Sequence, residues 1–251
     1  MALADEYRRQ LQWRAWDRVL EALPPVAGSV VFDLGCAVGD QAALLAGRGA
    51  RVIGVDANEE LLAVARTRGI PNATFVRGDL RDDVTGLGPA GGLWCSFVAA
   101  YCPDFASLLA AWIERLEPGG WLAVTEVDDL FGHEPLSSES RRLLDRFADE
   151  SLAAGRYDFR MGRKLEGHVA SAGFEVARAF ALPDAELSFD GPATAEVLTA
   201  WRERFDRLPR LREVCGPDFL RLRDEFLETL ARPDHRSTAR VCCVIGRRPA
   251  R

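Results

Sequence analysis

The sequence predicts an α/β fold built around a largely parallel β-sheet. Short apolar runs rich in Val, Leu and Ile alternate with helical segments of about ten residues. A turn with two glycines separates the first apolar run from the helical segment that follows it. Because parallel strands are joined by helical crossovers, this alternation predicts a sheet with helices on both faces.

The first half of the chain supplies five predicted strands and the helices between them. A helix is predicted over residues 2–22, where apolar residues recur at helical spacing until Pro24 and Pro25 end it. Asn58 is the expected N-cap of the second crossover helix. Strands are predicted at 30–34, 51–55, 73–77, 93–98 and 121–126, and crossover helices at 38–48, 59–68 and 103–116.

The second half is organised differently. Residues 128–138 are predicted to form a loop, and residues 192–232 to form two amphipathic helices. Other helices are expected at 138–154 and 162–172, an edge strand at 175–182 and a last strand at 239–246. The helical pair between the last two strands is too long for a simple connection and is interpreted as a cap.

We therefore expect one domain over residues 1–251. Its parts are an N-terminal helical segment (1–27), a core (28–182), a helical cap insertion (183–236) and a final strand (237–251).

The composition argues against several classes of function. Hydrophobic residues make up 48% of the chain, and the formal net charge is −6 from 32 basic and 38 acidic residues. An acidic balance without basic clusters argues against nucleic acid as a partner. No apolar run approaches the roughly 20 residues of a membrane span, and the N-terminal residues lack a signal-peptide core. The protein is therefore expected to be cytoplasmic, with no membrane partner.

Cysteine and histidine usage argues against a metal site. The six cysteines include no C-x-x-C pair, and the three histidines are not at ligand spacing. The thiols are expected to stay reduced and to behave as small apolar side chains.

The most informative stretch is VVFDLGCAVGDQAALL, residues 30–45. It predicts a strand that ends near Asp33, a turn with Gly35 and Gly39, and a helix that begins near Asp40. Glycine lets a ligand approach the backbone closely, and the unpaired N–H groups of a helix N-terminus favour an anionic or electron-rich ligand. The turn is therefore interpreted as a cofactor cradle.

Four motifs in order resemble the class I S-adenosylmethionine-dependent methyltransferases. They are D-L-G-C-x-x-G at 33–39, the acid after the second strand at Asp56, Gly78-Asp79 after the third strand, and L-x-P-G-G-W-L at 116–122. The resemblance covers about residues 28–182 and the last strand. It implies a Rossmann-like, seven-stranded, mostly parallel sheet whose last strand is antiparallel, with a helical cap insertion.

The resemblance also implies roles for the residues of the glycine turn and the second strand. Gly35, Ala37 and Gly39 would form the wall for the methionine part of S-adenosylmethionine, with Asp33 near its amino group. Asp56, with Ala57 next to it, would hold the ribose, since a carboxylate offers two acceptor oxygens to two hydroxyls. The middle glycine of the usual G-x-G-x-G pattern is replaced by Ala37.

Further cofactor contacts are implied after the third and fourth strands. Asp79, preceded by Gly78, would accept a hydrogen bond from the adenine amino group, and Leu80 would lie beside the ring. Phe97 would lie close to the methionine portion. The product would be S-adenosylhomocysteine.

A dinucleotide is the rival cofactor, because its glycine fingerprint also sits on a strand–turn–helix. Counting from Gly35, the third glycine position of that fingerprint falls on Asp40. A charged residue disfavours the close packing and the pyrophosphate expected there, so an NAD(P)-dependent oxidoreductase is the less favoured reading.

Candidate catalytic residues follow the fourth and fifth strands. Tyr101 follows the fourth strand, and Asp128 and His133 follow the fifth, in TEVDDLFGHEP. Carboxylates beside a histidine would suit an amine substrate or the deprotonation of a hydroxyl.

The predicted function is methyl transfer from S-adenosylmethionine to a nitrogen or oxygen of a small molecule by in-line displacement. A non-catalytic S-adenosylmethionine-binding partner or regulator is the alternative. The sequence leaves monomer and homodimer equally open.

Overall fold

The structure, a computed structural model, describes residues 3–81 and 88–250. Its strands, in chain order, are β1 (Val30–Leu34), β2 (Arg51–Asp56), β3 (Ala73–Arg77), β4 (Ala90–Ser96), β5 (Leu116–Asp128), β6 (His133–Glu134), β7 (Glu175–Leu182), β8 (Arg236–Ser237) and β9 (Arg240–Arg247). Within these residues, one seven-stranded sheet, here called the main sheet, has the order β3-β2-β1-β4-β5-β9-β7. Strand β9 runs antiparallel to both of its neighbours, β5 and β7. The predicted fold class is confirmed.

The helices flank the main sheet and form the cap. They are α1 (Leu3–Gln10), α2 (Trp16–Ala22), α3 (Asp40–Gly47), α4 (Glu59–Thr67), α5 (Phe105–Ile113), α6 (Ser138–Ala153), α7 (Leu165–Ser171), α8 (Ala195–Asp206), α9 (Pro209–Cys215) and α10 (Phe219–Leu230). Short 3-10 turns lie at Leu11–Trp13, Ala99–Tyr101, Gly162–Lys164 and Gly216–Asp218. No helix of the described segments is both long and apolar enough to cross a membrane.

The strand predictions for β1, β3 and β7 are confirmed to the residue, but β4 and β5 begin earlier than predicted. Ala90 pairs with Leu116, the register then shifts across Pro118–Gly120, and pairing resumes at Gly92↔Trp121. Gly92 explains the register, because a Cβ there would lie 2.1 Å from the Trp121 ring. The pairing of Ala90 with Leu116 extends both strands beyond the predicted apolar runs.

The prediction of one continuous N-terminal helix over residues 2–22 is wrong, because the structure has two helices, α1 and α2, in its place. Residue 2 lies outside the described residues. The helical segment breaks after Trp13, because Arg14 leaves the helix with an extended backbone and pairs with Asp184 and Glu186. Backbone bridging between Arg14 and Asp184 reinforces the break. Long-range ion pairs therefore override the helical spacing.

Two other predictions for the second half are wrong in detail. The predicted loop 128–138 contains β6, which pairs antiparallel with β8 across His133↔Ser237 and Glu134↔Arg236. The described part of the cap holds three α-helices where two were predicted, because Pro209 starts α9 at a position suited to proline. Gly216, at φ 55°, then separates α9 from α10.

The cap packs on an aromatic core. Phe131 lies within 6.3 Å, ring centre to ring centre, of Trp201, Phe205 and Phe226. Trp201 is fully buried, and its indole N–H donates to the Glu186 carbonyl over 2.9 Å. Burying such rings removes a large apolar area from water, so the cap is an integral part of the domain core.

Two histidines are buried at the base of the cap. Nδ1 of His235 lies 2.8 Å from the Gly191 carbonyl oxygen and therefore carries a hydrogen when the ring is neutral. Nε2 of His235 must then accept, and His133 donates to it from Nδ1 over 2.9 Å. His133 Nε2 is left as a buried acceptor with no partner among the described residues.

This histidine pair should make the protein acid-sensitive. Burial, together with the charge of the neighbouring histidine, holds the pKa of His133 well below its usual range, and burial lowers the pKa of His235. Because both folded pKa values lie below the unfolded value of about 6.5, the unfolded state binds more protons as the pH falls below about 6.5. The contribution of the histidine pair to stability is therefore fully present above that pH, and below it each histidine lowers the free energy of unfolding by up to about 1.4 kcal/mol per pH unit.

Chemical denaturation between pH 7.5 and 5.0 checks this expectation. The double variant His133→Phe/His235→Leu should lose less of its free energy of unfolding over this range than the wild type. His168→Gln, on the partly exposed histidine of α7, is the control and should keep most of the wild-type slope. Equal slopes in the wild type and the double variant would contradict the expectation.

Candidate active site

The turn between β1 and α3 is shaped by residues with positive φ. Gly35, Ala37 and Gly39 have φ of 80°, 44° and 79°. A Cβ at Gly35 would lie 2.3 Å from the Val98 side chain, and one at Gly39 would lie 2.8 Å from Phe75. Glycine is therefore required on both sides of the turn. Ala37 occupies the middle position without such a requirement.

Asp56, at the carboxyl end of β2, ties this turn in place. One carboxylate oxygen accepts from the Ala37 N–H at 2.8 Å, and the other accepts from the Asn58 N–H at 2.8 Å. Each oxygen keeps a further lone pair for a ligand hydroxyl. The sequence predicted a ligand-binding role for Asp56 but did not reveal that it also organises the turn. Ala57, beside it, is exposed.

Asp33 is a buried carboxyl below the turn. Its residue is 2% exposed, and one of its oxygens has no partner among the described residues. Burial raises the pKa of Asp33 to about 8, against a lowering by the Ala42 N–H. A buried acceptor without a partner suits a positively charged ligand group, whose approach would favour the ionised carboxylate.

Asp79 and Leu80 follow β3, at the same edge of the main sheet. Asp79 pairs with Arg81 through both carboxylate oxygens, at 2.6 and 3.0 Å. These hydrogen bonds lower the pKa of Asp79 to about 2, so its carboxylate is ionised at neutral pH. Leu80 is buried beside it, and Gly78 lies close to Val55. The sequence reading did not foresee the Arg81 pair.

Phe97, after β4, is strained and covered by the N-terminal segment. Its φ is 57°, and its N–H donates to the Thr125 carbonyl over 2.8 Å. Trp16 contacts the Phe97 ring edge-on at 6.0 Å, and the Arg14 guanidinium carbon lies 5.2 Å from the centre of the same ring. A non-glycine residue at positive φ is frequent at functional sites.

A buried ionic network connects Phe97 to the cap. Arg14 donates to both oxygens of Asp184, at 2.9 and 2.7 Å, and to Glu186 at 2.6 Å. The other oxygen of Glu186 accepts from Arg204, on α8, at 2.6 Å. Burial alone would raise the pKa of Glu186, but the two guanidiniums hold it below its usual range. The sequence offered no signal for this network, because its members lie in segments far apart along the chain.

Tyrosines line the neighbouring surface. Tyr101 is 57% exposed, and its ring packs edge-on against Tyr157 at 4.7 Å. Desolvation and the Glu126 carboxylate raise the pKa of Tyr101, so its phenol stays protonated at neutral pH. Tyr7, on α1, faces both Asp56 and Tyr101. Its pKa is raised to about 12, first by burial and then by these neighbours.

Glu126, near the carboxyl end of β5, is fully buried below these tyrosines. Its carboxylate accepts from the N–H groups of Ala100 at 3.1 Å and Val127 at 2.9 Å. Burial raises the pKa of Glu126 to about 7, while the two N–H groups lower it. Glu126 thereby fixes the turn that carries Tyr101 against β5.

The three catalytic candidates from the sequence lie in different surroundings. Tyr101 lies beside the tyrosine surface. Asp128 is buried, and its carboxylate accepts from Arg163 at 2.7 Å. His133 is fully buried among the rings of Trp201 and Phe226 and pairs with His235. The catalytic roles of Asp128 and His133 stay predictions, and their contacts favour structural roles.

The position that a dinucleotide loop reserves for a small residue is occupied by an ion pair. Asp40 is buried at the start of α3 and accepts from Arg68 at 2.6 Å. A fixed carboxylate at this helix N-terminus would repel the pyrophosphate of a dinucleotide.

Comparison with known proteins places the chain in a family. A family model described as a methyltransferase domain matches residues 7–179, more than two thirds of the chain. Among its relatives, the trans-aconitate 2-methyltransferase of Rhizobium meliloti is 32% identical over 148 residues, 58% of this chain and 54% of that protein. The ubiquinone biosynthesis O-methyltransferase of Thiobacillus denitrificans is 34% identical over 109 residues, 42% of this chain and 47% of that protein. The chain thus spans about half the length of the curated relatives it matches.

Solved structures support the fold. A putative methyltransferase from Bacillus halodurans superposes with a TM-score of 0.65 at 16% identity, covering 94% of this chain and 99% of that one. At this identity the likeness concerns the fold alone.

The residues present fit the cofactor of this family. Gly35 and Gly39 leave two positions of the turn without side chains, and Asp56 keeps acceptor capacity for hydroxyls. The unpartnered oxygen of Asp33 suits the amino group of S-adenosylmethionine. With the family-model match, these features establish that the chain belongs to the class I S-adenosylmethionine-dependent methyltransferase family.

Proposed function

We propose that this protein transfers a methyl group from S-adenosylmethionine to a small-molecule acceptor, with oxygen as the favoured acceptor atom and nitrogen as the alternative. One observation carries the proposal. The Gly35–Gly39 turn, held by Asp56 at the end of β2, forms a cofactor cradle at the carboxyl edge of the main sheet. Ligands of open α/β sheets bind at this edge.

The cofactor, when bound, supplies a sulfonium methyl group that is already activated for in-line displacement. The protein therefore has to orient the acceptor and exclude water, and where needed receive a proton. Phe97, covered by Trp16 and Arg14, forms an apolar wall beside the cradle. The cap encloses this wall through the Arg14–Glu186–Arg204 network.

The acceptor side is polar, which supports an enzyme over a non-catalytic cofactor-binding protein. The rings of Tyr101 and Tyr157 pack edge-on at 4.7 Å, and desolvation and then the Glu126 carboxylate raise the pKa of both phenols. Burial and then Tyr101 in turn raise the pKa of Tyr7. Because the Tyr101 phenol is protonated at neutral pH, it acts as a hydrogen-bond donor that positions an acceptor oxygen, and not as a base.

The names of the relatives support oxygen and a small acid as the acceptor class. One relative is named an O-methyltransferase, and another is named for trans-aconitate. These relatives match only 58% and 42% of this chain, so their names suggest which acceptor classes to test.

Asp56 tests the cradle. Asp56→Asn should weaken S-adenosylhomocysteine binding on the order of tenfold, because an amide offers one acceptor oxygen in place of two and loses the charge. Isothermal titration calorimetry measures the affinity. Glu60→Gln, an exposed acid on α4, is the matched control and should bind as the wild type does. Wild-type affinity in Asp56→Asn would refute the cradle.

Tyr101 tests the acceptor side. Tyr101→Phe keeps the ring contact with Tyr157 but removes the phenolic hydrogen-bond donor. The rate of S-adenosylhomocysteine formation should therefore fall roughly tenfold or more. Its affinity for S-adenosylhomocysteine should not change. A variant with the wild-type rate would remove the phenol from the mechanism, and an equal loss of cofactor affinity would place Tyr101 in the cradle instead.

The reaction itself is assayed with purified protein, S-adenosylmethionine and small acids such as trans-aconitate, following S-adenosylhomocysteine by mass spectrometry. Product above the level of an Asp56→Asn preparation is expected. Tight cofactor binding without turnover on any acid or amine tested would favour the non-catalytic alternative.

A further inference from the structure

Arg204 has one edge of its guanidinium paired and the other unpaired. Nη2 donates to Glu186 at 2.6 Å, and the guanidinium carbon lies 4.5 Å from the centre of the Trp201 ring. The side chain is 16% exposed. Stacking on the indole holds the plane of the guanidinium fixed, so the direction of its remaining N–H groups is fixed as well.

The unpaired edge is Nη1. This atom is buried from solvent and has no hydrogen-bond partner among the described residues. A buried cationic donor without a partner costs more than a neutral one, and native proteins usually satisfy such groups with a ligand or an ordered water. Nη1 is therefore a donor in a fixed orientation, available to an acceptor that the described residues do not supply.

The charges around Arg204 favour an anionic acceptor. Within the described network, Glu186 divides its two oxygens between Arg204 and Arg14, and Asp184 gives both of its oxygens to Arg14. Arg204 thus pairs with one oxygen of Glu186 alone. Arg14 pairs with the other oxygen of Glu186 and with both oxygens of Asp184. The positive charge of Arg204 is therefore less fully neutralised than that of Arg14, and Arg204 is also the residue with the unpaired Nη1.

The position of Arg204 places this edge in the acceptor region. Arg14 lies over Phe97 beside the cradle, and Arg204 is separated from Arg14 by the single carboxylate of Glu186. Arg204 also lies close enough to Tyr101 and Tyr157 for its charge to act on their phenols. Arg204 is therefore linked to the wall at Phe97 through Glu186 and Arg14, and to the tyrosine surface through its charge.

We propose that Arg204, through Nη1, binds a carboxylate of the methyl acceptor and selects acidic acceptors over neutral ones. This inference rests on the proposed methyltransferase function. It adds the class of substrate and the residue that recognises this class. A planar guanidinium suits the recognition of a carboxylate, since both groups are flat and the hydrogen bond is charge-assisted.

Two sources could supply this carboxylate, the acceptor and the methionine part of the cofactor. The acceptor is favoured because Arg14 and Glu186 stand between Arg204 and Phe97. Separate titrations of cofactor product and acid distinguish the two.

The test uses calorimetric titration of the protein, first with S-adenosylhomocysteine and then, with this product bound, with trans-aconitate, succinate and benzoate. The trimethyl ester of trans-aconitate is the uncharged control. The wild type should bind at least one acid and prefer trans-aconitate to its ester. Arg204→Gln should lower the acid affinity on the order of tenfold or more and leave S-adenosylhomocysteine affinity unchanged.

Two further variants keep the test decisive. Arg204→Lys retains the charge that pairs with Glu186, so it should stay folded even where Arg204→Gln does not, and should lose roughly threefold or more in acid affinity. Arg202→Gln, an exposed arginine on the same helix, should bind acids as the wild type does.

The proposal is overturned if no acid binds the wild type, or if acid affinity is unchanged in both Arg204 variants. A selective loss of S-adenosylhomocysteine affinity in these variants also overturns it, because the carboxylate would then belong to the cofactor. A wild type that fails to bind S-adenosylhomocysteine contradicts the proposed function instead, and that result is read before any acid is added.

Discussion

The buried carboxylate of Glu186 joins the parts of the chain that together enclose the candidate site. One oxygen accepts from Arg14 in the N-terminal segment, and the other accepts from Arg204 in the cap. Removing either guanidinium would leave a buried charge poorly compensated, and such a loss is strongly destabilising. The break after Trp13, the cover over Phe97 and the placement of α8 all depend on this one side chain.

The site has two halves with different physical origins. The cradle is a backbone structure, in which positive φ at Gly35 and Gly39 and the hydrogen bonds of Asp56 shape a turn for the cofactor. The acceptor half is a side-chain structure, assembled by Arg204, Tyr101 and their neighbours from segments far apart along the chain. This division explains how one family can keep its methyl donor while its acceptors vary, because function is carried by the site and not by the fold.

Buried titratable groups play different parts in the two halves. The carboxyl of Asp33 lacks a partner for one oxygen and is suited to a charged ligand group. The pair His133–His235 lies in an aromatic core, where a proton would be costly, and it stabilises the base of the cap in its neutral form. A histidine after the fifth strand suggested proton transfer in the sequence, yet burial decides its protonation state and its contacts.

Local patterns were sufficient for the cradle. The bounds of β1 and β3, the N-cap at Asn58, the glycines at 35 and 39 and the acids at 56 and 79 were all readable in the sequence, because short-range sterics and hydrogen bonds specify them. The sequence did not predict the break at Arg14, the β6–β8 pairing or the extra cap helix. It also gave no sign of the Arg81 pair on Asp79 or of the shared Glu186.

By itself, then, the sequence determined the fold class and the cofactor family, and it predicted the turn that we propose as the cradle, since each follows from short motifs along the chain. Only the tertiary structure decided that His133 is buried against His235 and that Arg204, paired with Glu186 and stacked on Trp201, holds a free donor. The His133–His235 and Arg14–Glu186 contacts join segments more than a hundred residues apart, and Arg204 meets Glu186 from 18 residues further along the chain. Burial and charge compensation set these arrangements, and local spacing carries no information about them.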